Sequence, residues 1–168
     1  MDMTNKWNYD PQGEVCYGQE IVYQKVAEFL GDSCEDWGAG TCWAKRYFKT
    51  YKGIDGSKSI CITEPIDLRE YTSDVDNILL RQVLEHNYEW QKILENAKKS
   101  FKKKLCITVH TPLSDTTHVL STYNDIPDIS FKLEDILDML KDYKVTTESV
   151  PTAPFEYGTE TIIYVQKI

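Results

Sequence analysis

No stretch of this 168-residue sequence stays apolar for anything near the ~20 residues that a membrane-spanning helix needs. The opening residues, MDMTNKWNYD, lack both a basic start and an apolar core, so they do not read as a secretory signal. A cytoplasmic protein without membrane association is the expectation. Basic residues are the minority, 19 Lys and Arg against 27 Asp and Glu, for a formal net charge of -8. Affinity for a phosphate backbone comes from Lys and Arg displacing counterions, so nucleic acid is not expected as the main partner. The one basic cluster, Lys98, Lys99, Lys102, Lys103 and Lys104, reads as the solvated C-terminal end of a helix. The five cysteines, Cys16, Cys34, Cys42, Cys61 and Cys106, are odd in number and contain no C-x-x-C pair. Reduced thiols are therefore expected, with neither a disulfide framework nor a zinc site. Repeats, low-complexity tracts and linkers are absent as well, which leaves one domain over 1–168 with a loose polar lead-in over 1–16.

What is present is an alternation of strand and helix patterns. Ile21, Val22, Val26, Phe29 and Leu30 recur at helical spacing, which predicts a helix over about 18–30 that stops at Gly31. A short strand over 33–37 follows, unusually polar for a central parallel strand because it carries Ser33, Glu35 and Asp36. A helix is expected to start near Cys42, with further strands over 51–55, 63–66, 75–81 and 105–110. A helix over about 88–101 carries Trp90, Ile93, Leu94, Ala97 and Phe101 on one face. Ser130 reads as the N-cap of a helix bearing Leu133, Ile136, Leu137 and Leu140. Strands over 143–149 and 160–167 close the chain as an antiparallel hairpin. This order predicts an α/β doubly wound sheet, whose ligands lie beyond the carboxyl ends of the strands at the switch point.

Three polar landmarks fall at that end: the turn 36–42, Asp55 and Asp67. Gly38 and Gly40 permit a tight turn and close approach of a ligand. A helix starting just beyond them aims free N–H groups at the same point. An acid at the end of the next strand is placed to accept from both hydroxyls of a ribose. G-x-G alone is also compatible with a plain strand-to-helix connection. The dinucleotide fingerprint G-x-G-x-x-G fails, since Trp43 occupies its last position, so NAD is not expected.

These residues resemble the class I S-adenosylmethionine-dependent methyltransferases. Asp36-Trp37-Gly38-Ala39-Gly40-Thr41 looks like the family's acid-x-Gly-x-Gly motif, Gly53-Ile54-Asp55 its ribose-binding strand end and Ile66-Asp67-Leu68 its adenine-binding one. Arg81-Gln82-Val83-Leu84-Glu85-His86 resembles the segment that follows the fourth strand in many small members. The resemblance implies a Rossmann-like fold of seven strands in the order 3-2-1-4-5-7-6, mostly parallel, with helices on both faces. It implies S-adenosylmethionine as cofactor. Asp36, Gly38, Gly40 and Thr41 would hold its methionine end, Asp55 and Gly56 the ribose, Asp67 and Leu68 the adenine. Arg81 and Gln82 would line the floor, and Tyr17 would reach the cofactor carboxylate. Cys42 stands where the family usually has a third glycine, which is expected to weaken binding at most.

The activity so implied is methyl transfer to a small-molecule or protein acceptor. The alternative is a non-catalytic cofactor-binding or interaction module of the same fold. Methyl transfer needs in-line positioning and sometimes a base. His86 and His110 follow the fourth and fifth strands and are the candidates for that base, each also readable as a structural histidine. The amino-methylating Asn/Asp-Pro-Pro-aromatic tetrapeptide, a Pro-Cys nucleophile and a catechol-type magnesium cluster are not visible. Without an inserted acceptor domain, specificity falls to residues 1–20, 111–130 and 151–158. So compact a domain also fits an accessory enzyme, viral or otherwise.

Overall fold

A computed structural model describes residues 7, 9, 13–154 and 157–168. The chain runs α1 (Glu20–Leu30), β1 (Ser33–Trp37), β2 (Thr50–Ile54), β3 (Val75–Arg81), α2 (Trp90–Ser100), β4 (Phe101–Val109), β5 (His118–Tyr123), β6 (Ile126–Ser130), α3 (Leu133–Met139), β7 (Lys144–Pro151) and β8 (Thr159–Gln166). Short 3-10 turns occupy Trp43–Tyr47 and Leu84–His86.

Six strands form one mixed sheet in the order β2-β1-β3-β4-β8-β7. β2, β1, β3 and β4 pair in parallel, and β8 inserts antiparallel between β4 and β7. The pleat sorts the side chains. Ile78, Leu80, Leu105 and Ile107 enter one core with α2 and α3, whereas Leu79 and Cys106 face α1 on the other side. Burial on both faces explains why β3 and β4 read as nearly unbroken apolar runs. In α1, Val22, Tyr23, Val26 and Leu30 bury one stripe, and Gly31 at φ 89° ends the helix by returning its N–H to Ala27.

Four expectations are corrected. Residues 63–66 form no strand, so the sheet has six members rather than seven; Ile66 instead donates its N–H to the Asp55 carbonyl at 2.8 Å. The helix expected from Cys42 shrinks to the five-residue 3-10 turn Trp43–Tyr47. Ser130 is not an N-cap: it ends β6 in a second, two-stranded sheet with β5, and its hydroxyl donates to the Pro112 carbonyl. The basic cluster is not one helix end, because Lys102, Lys103 and Lys104 lie in β4. Lys102 and Lys103 pair with Asp74 and Asp76, and Lys98 pairs with Glu95.

The polar strand β1 is buried nonetheless, and its acids are all accounted for. Glu35 accepts from the Trp37 indole N–H at 2.8 Å and pairs with Lys52 at 3.2 Å. Asp36 accepts from the Tyr51 hydroxyl at 2.7 Å.

Candidate functional site

β1 connects outward to β2 on one side while β3 lies on the other, so the chain diverges beyond the carboxyl ends of β1 and β3. Such a divergence opens a crevice. The turn after β1 forms its floor. Gly38 (φ 80°) and Gly40 (φ 54°) take left-handed backbone that suits glycine. A Cβ at Gly38 would come 2.3 Å from the Val83 side chain.

The turn spends its own N–H groups. Gly38 and Ala39 donate to the Ile54 carbonyl, Gly40 to the Asp55 carboxylate at 2.8 Å, and Cys42 to the Ala39 carbonyl. The free N–H cradle expected ahead of a helix is therefore absent at these four positions. The glycines instead admit Val83 and Tyr9, whose side chains fill the space that a Cβ at Gly38 and Gly40 would take.

Cys42 also adopts left-handed backbone, at φ 59°, as a glycine would. Its sulfur is bonded to Cys61, which corrects the expectation of reduced thiols at those two positions. The bonded sulfur lies over β2, 2.9 Å from where a Cβ on Gly53 would sit. It is buried away from the crevice, so the missing third glycine does not narrow the site.

Two cavities that share Trp7, Tyr9, Gly38, Gln82 and His86 in their walls fill the crevice. The larger, about 570 Å³, takes in Tyr17, Asp36, Gly40, Thr41 and Arg81. The smaller, about 80 Å³, takes in Asp55, Gly56, Asp67 and Leu68. The larger volume falls within the roughly 300–1,000 Å³ range of small-ligand and cofactor sites. All eleven residues expected to meet the cofactor thus line one or other cavity.

The walls carry buried charge. Burial pushes the Asp36 carboxyl up to about 7, with the Tyr51 hydrogen bond and the Arg81 charge holding it back. Burial raises Asp55 as well, against the N–H groups of Gly40 and Ser57 that it accepts at 2.8 and 2.7 Å. Asp67 is lowered, chiefly by the Arg69 guanidinium that grips it at 2.6 Å, so its oxygens already have a partner beside the smaller cavity.

Arg81, at the end of β3, donates to the Tyr23 hydroxyl at 2.9 Å and to the Tyr17 carbonyl at 2.6 Å, and pairs with buried Glu160 at 3.3 Å. Its Nε has no hydrogen-bond partner among the described residues. Gln82 follows at φ 53°, a left-handed conformation held by its N–H to the Thr108 carbonyl.

Sequence reasoning missed Trp7, Tyr9 and Tyr23. Tyr9 sits over Gly40, its phenol ring 3.4 Å from the Cβ that residue lacks. Burial, then the Asp55 charge, pushes its hydroxyl far above the usual range. The Trp7 N–H donates to Ser57 at 3.0 Å, and Val15 and Thr41 exchange hydrogen bonds across the turn. An isolated aromatic in a polar segment carries no periodicity, so no sequence signal placed Trp7 or Tyr9.

The two candidate bases separate. His86 lines both cavities, whereas His110 lines neither. His86 is held through Nδ1 by Asp128 at 3.1 Å and the Pro127 carbonyl at 3.2 Å. The His86 hydrogen bond pulls Asp128 down to about 2. Behind it, His110 meets the wholly buried Glu85 through both its N–H and Nδ1, at 2.9 and 2.8 Å. Burial disfavours the imidazolium of His110, but the Glu85 hydrogen bond and charge outweigh it and raise the pKa. The rings of His86 and His110 lie 5.2 Å apart. A Glu-His-His cluster therefore exists that the sequence did not disclose.

Known structures show the same architecture. One is the Burkholderia thailandensis 1,6-didemethyltoxoflavin-N1-methyltransferase with bound 1,6-didemethyltoxoflavin and S-adenosylhomocysteine. It matches at a TM-score of 0.73 with 14% identity, over 88% of this chain and 77% of that one. The fold is that of the class I methyltransferases. Magnesium protoporphyrin IX methyltransferase from Synechocystis, also with bound S-adenosylhomocysteine, matches at 0.58 and 11% identity, over 88% and 83% of the two chains. The [4+2]-cyclase SpnF matches at 0.67 and 16% identity, over 88% and 80%. No protein-family model matches this sequence, and no curated protein is recognisably similar to it. No helix among the described residues is long and apolar enough to cross a membrane.

Proposed function

We propose that the chain binds S-adenosylmethionine in the paired cavities and transfers its methyl group to a small-molecule acceptor. The observation that carries this reading is convergence. Asp36, the Gly38–Gly40 turn, Asp55 and Arg81 come from three separate strand ends and face one crevice of fitting volume. Neighbours of the same fold are methyltransferases with bound S-adenosylhomocysteine.

The cofactor supplies an electrophilic methyl group on a sulfonium. The chain supplies the rest. Asp36 offers a buried carboxylate to the ammonium of the methionine end, and Arg81, beside Tyr17, offers cationic N–H groups to its carboxylate. Asp55 keeps lone pairs for the ribose hydroxyls while it clamps the turn. Gly56 and Leu68 border the smaller cavity, and Asp67 faces adenine from its pairing with Arg69. His86 fixes one ring nitrogen on Asp128 and presents the other, Nε2, to take a proton from the acceptor. His110 positions the segment from behind. Trp7, Tyr9 and Tyr123 give the acceptor side of the larger cavity an aromatic wall, which suits a planar acceptor.

Calorimetry with S-adenosylmethionine and S-adenosylhomocysteine tests the cofactor. Saturable binding that Asp55→Ala weakens is expected, and no binding up to millimolar ligand overturns the reading. Product formation against pooled metabolites then tests transfer. A second reading, cofactor binding without methyl transfer, has one observation behind it: the fold also houses a cyclase. Saturable binding with no methylated product in any pool would favour it.

A further inference from the structure

We propose that Glu85, His86 and His110 form a binding site for a divalent transition-metal ion in the wall of the larger cavity. One donor atom from each of the three lies within 4.8 Å of the others. Glu85 and His86 come from the 3-10 turn that leaves β3, and His110 stands just beyond the end of β4. Adjacent parallel strands therefore bring the three together.

Glu85 carries the inference. It is wholly buried, and while Oε1 accepts twice from His110, Oε2 has no hydrogen-bond partner among the described residues. A buried carboxylate oxygen left so has lost its water without gaining a replacement, so its retention asks for an unseen partner. A cation supplies one. Asp128 orients the His86 ring through Nδ1 and leaves Nε2 with its lone pair, as outer carboxylates do for metal-binding imidazoles.

The donor set selects the ion. Two imidazole nitrogens and one carboxylate suit Zn²⁺, Fe²⁺ or Co²⁺, whereas Mg²⁺ and Ca²⁺ prefer oxygen alone. Three protein ligands leave coordination positions open, as in catalytic rather than structural sites. Of the three, His86 alone lines the cavities, so an ion held there would meet an acceptor on the His86 side. An acceptor hydroxyl held by the ion would lose its proton to solvent water more readily, in place of proton removal by His86, and its oxygen would bond the methyl carbon as the sulfonium carbon–sulfur bond breaks. This last step rests on the methyltransferase reading; ion binding does not.

The test titrates the full chain, stripped with chelator, with Co²⁺ and Zn²⁺, following visible absorption and heat. One ion per chain is expected, with a Co²⁺ ligand-field spectrum and no thiolate charge-transfer band. Affinity is expected to fall about tenfold or more in Glu85→Gln and His110→Asn. His118→Asn, at an exposed histidine on β5, is expected to bind as the parent does. Circular dichroism establishes that each variant is folded. The proposal is overturned by a folded parent that binds no ion, by a thiolate band, by equal affinity in the two cluster variants, or by preference for Mg²⁺. Methyl transfer is read separately with and without chelator. Ion binding with metal-independent transfer overturns the acceptor step alone. Ion binding without any transfer counts against the methyltransferase reading and leaves the ion site standing.

Discussion

Gly40 donates its N–H to the Asp55 carboxylate at 2.8 Å, so the turn after β1 and the end of β2 hold each other. Asp55 thereby serves the fold and the ligand with the same two oxygens. Asp55→Ala is expected to lower S-adenosylhomocysteine affinity at least ~100-fold and global stability by roughly 1–3 kcal/mol. Asp55→Asn, which keeps one acceptor oxygen but turns an NH2 toward the second backbone N–H, should recover only part of the stability and little of the affinity. Calorimetry and thermal melts of the two variants separate the roles.

Gly38 has no room for a side chain. Its φ of 80° and the Val83 methyl 2.3 Å from a notional Cβ act together. Gly38→Ala is expected to destabilise the chain by roughly 2–4 kcal/mol and to abolish cofactor binding. A double variant with Val83→Ala should regain part of the stability by removing the clash. Melting temperatures of the single and double variants give the result.

Asp36 predicts a pH dependence with a definite sign. Its carboxyl titrates at about 7 when buried, well above the unfolded value of 3.8. The folded chain therefore keeps a proton that the unfolded chain has lost, and stability declines from about pH 4 to about pH 7, then levels off. Asp36→Asn is expected to gain roughly 1–3 kcal/mol above pH 7 and almost nothing near pH 4. The cationic end of the cofactor prefers the ionised carboxylate, so binding by the parent should weaken about tenfold from pH 8 to pH 6. Calorimetry across that range is decisive, since Asp36→Asn should lose both the affinity and this dependence.

The Cys42–Cys61 bond ties the glycine turn to the loop after β2 across 19 residues. Closing a loop of that size is worth about 3 kcal/mol through the unfolded chain. Reduction is expected to lower the melting temperature, and the Cys42→Ser/Cys61→Ser double variant should melt as the reduced parent does. A melting temperature unmoved by reductant would contradict it.

How far the site was legible in the sequence depends on range. Asp36, Gly38, Gly40 and Asp55 sit beside strand ends that hydrophobic patterning locates, so their convergence followed from topology. The apolar runs of β3 and β4 and the closing β7–β8 hairpin were equally plain. What failed was set by partners distant along the chain. The 63–66 segment has the composition of a strand but joins no ladder: Ile66 donates to the Asp55 carbonyl just beyond β2 and packs against the core. The hairpin of β5 and β6 was hidden because β5 is exposed throughout and lacks the alternation that marks a half-buried strand. Its turn, Asn124-Asp125, has positive φ at both residues, which such a pair tolerates more readily than most. The Glu85–His110 contact spans 25 residues, with α2 and β4 between them, and neither residue type announces the other.

The sulfur of Cys42 rests where a side chain on Gly53 would go. The two positions are therefore epistatic. A bulkier residue at 53 is barred while 42 carries its bonded cysteine, and that cysteine is admissible only opposite glycine. Any lineage that acquired Cys42 needed the glycine already in place, and its reversal must proceed in the opposite order. A mutagenesis library that varies 53 alone will score it as intolerant, whereas side chains there become admissible only in a library that also relieves the Cys42 sulfur and the Ala39 methyl, 3.0 Å from the same point.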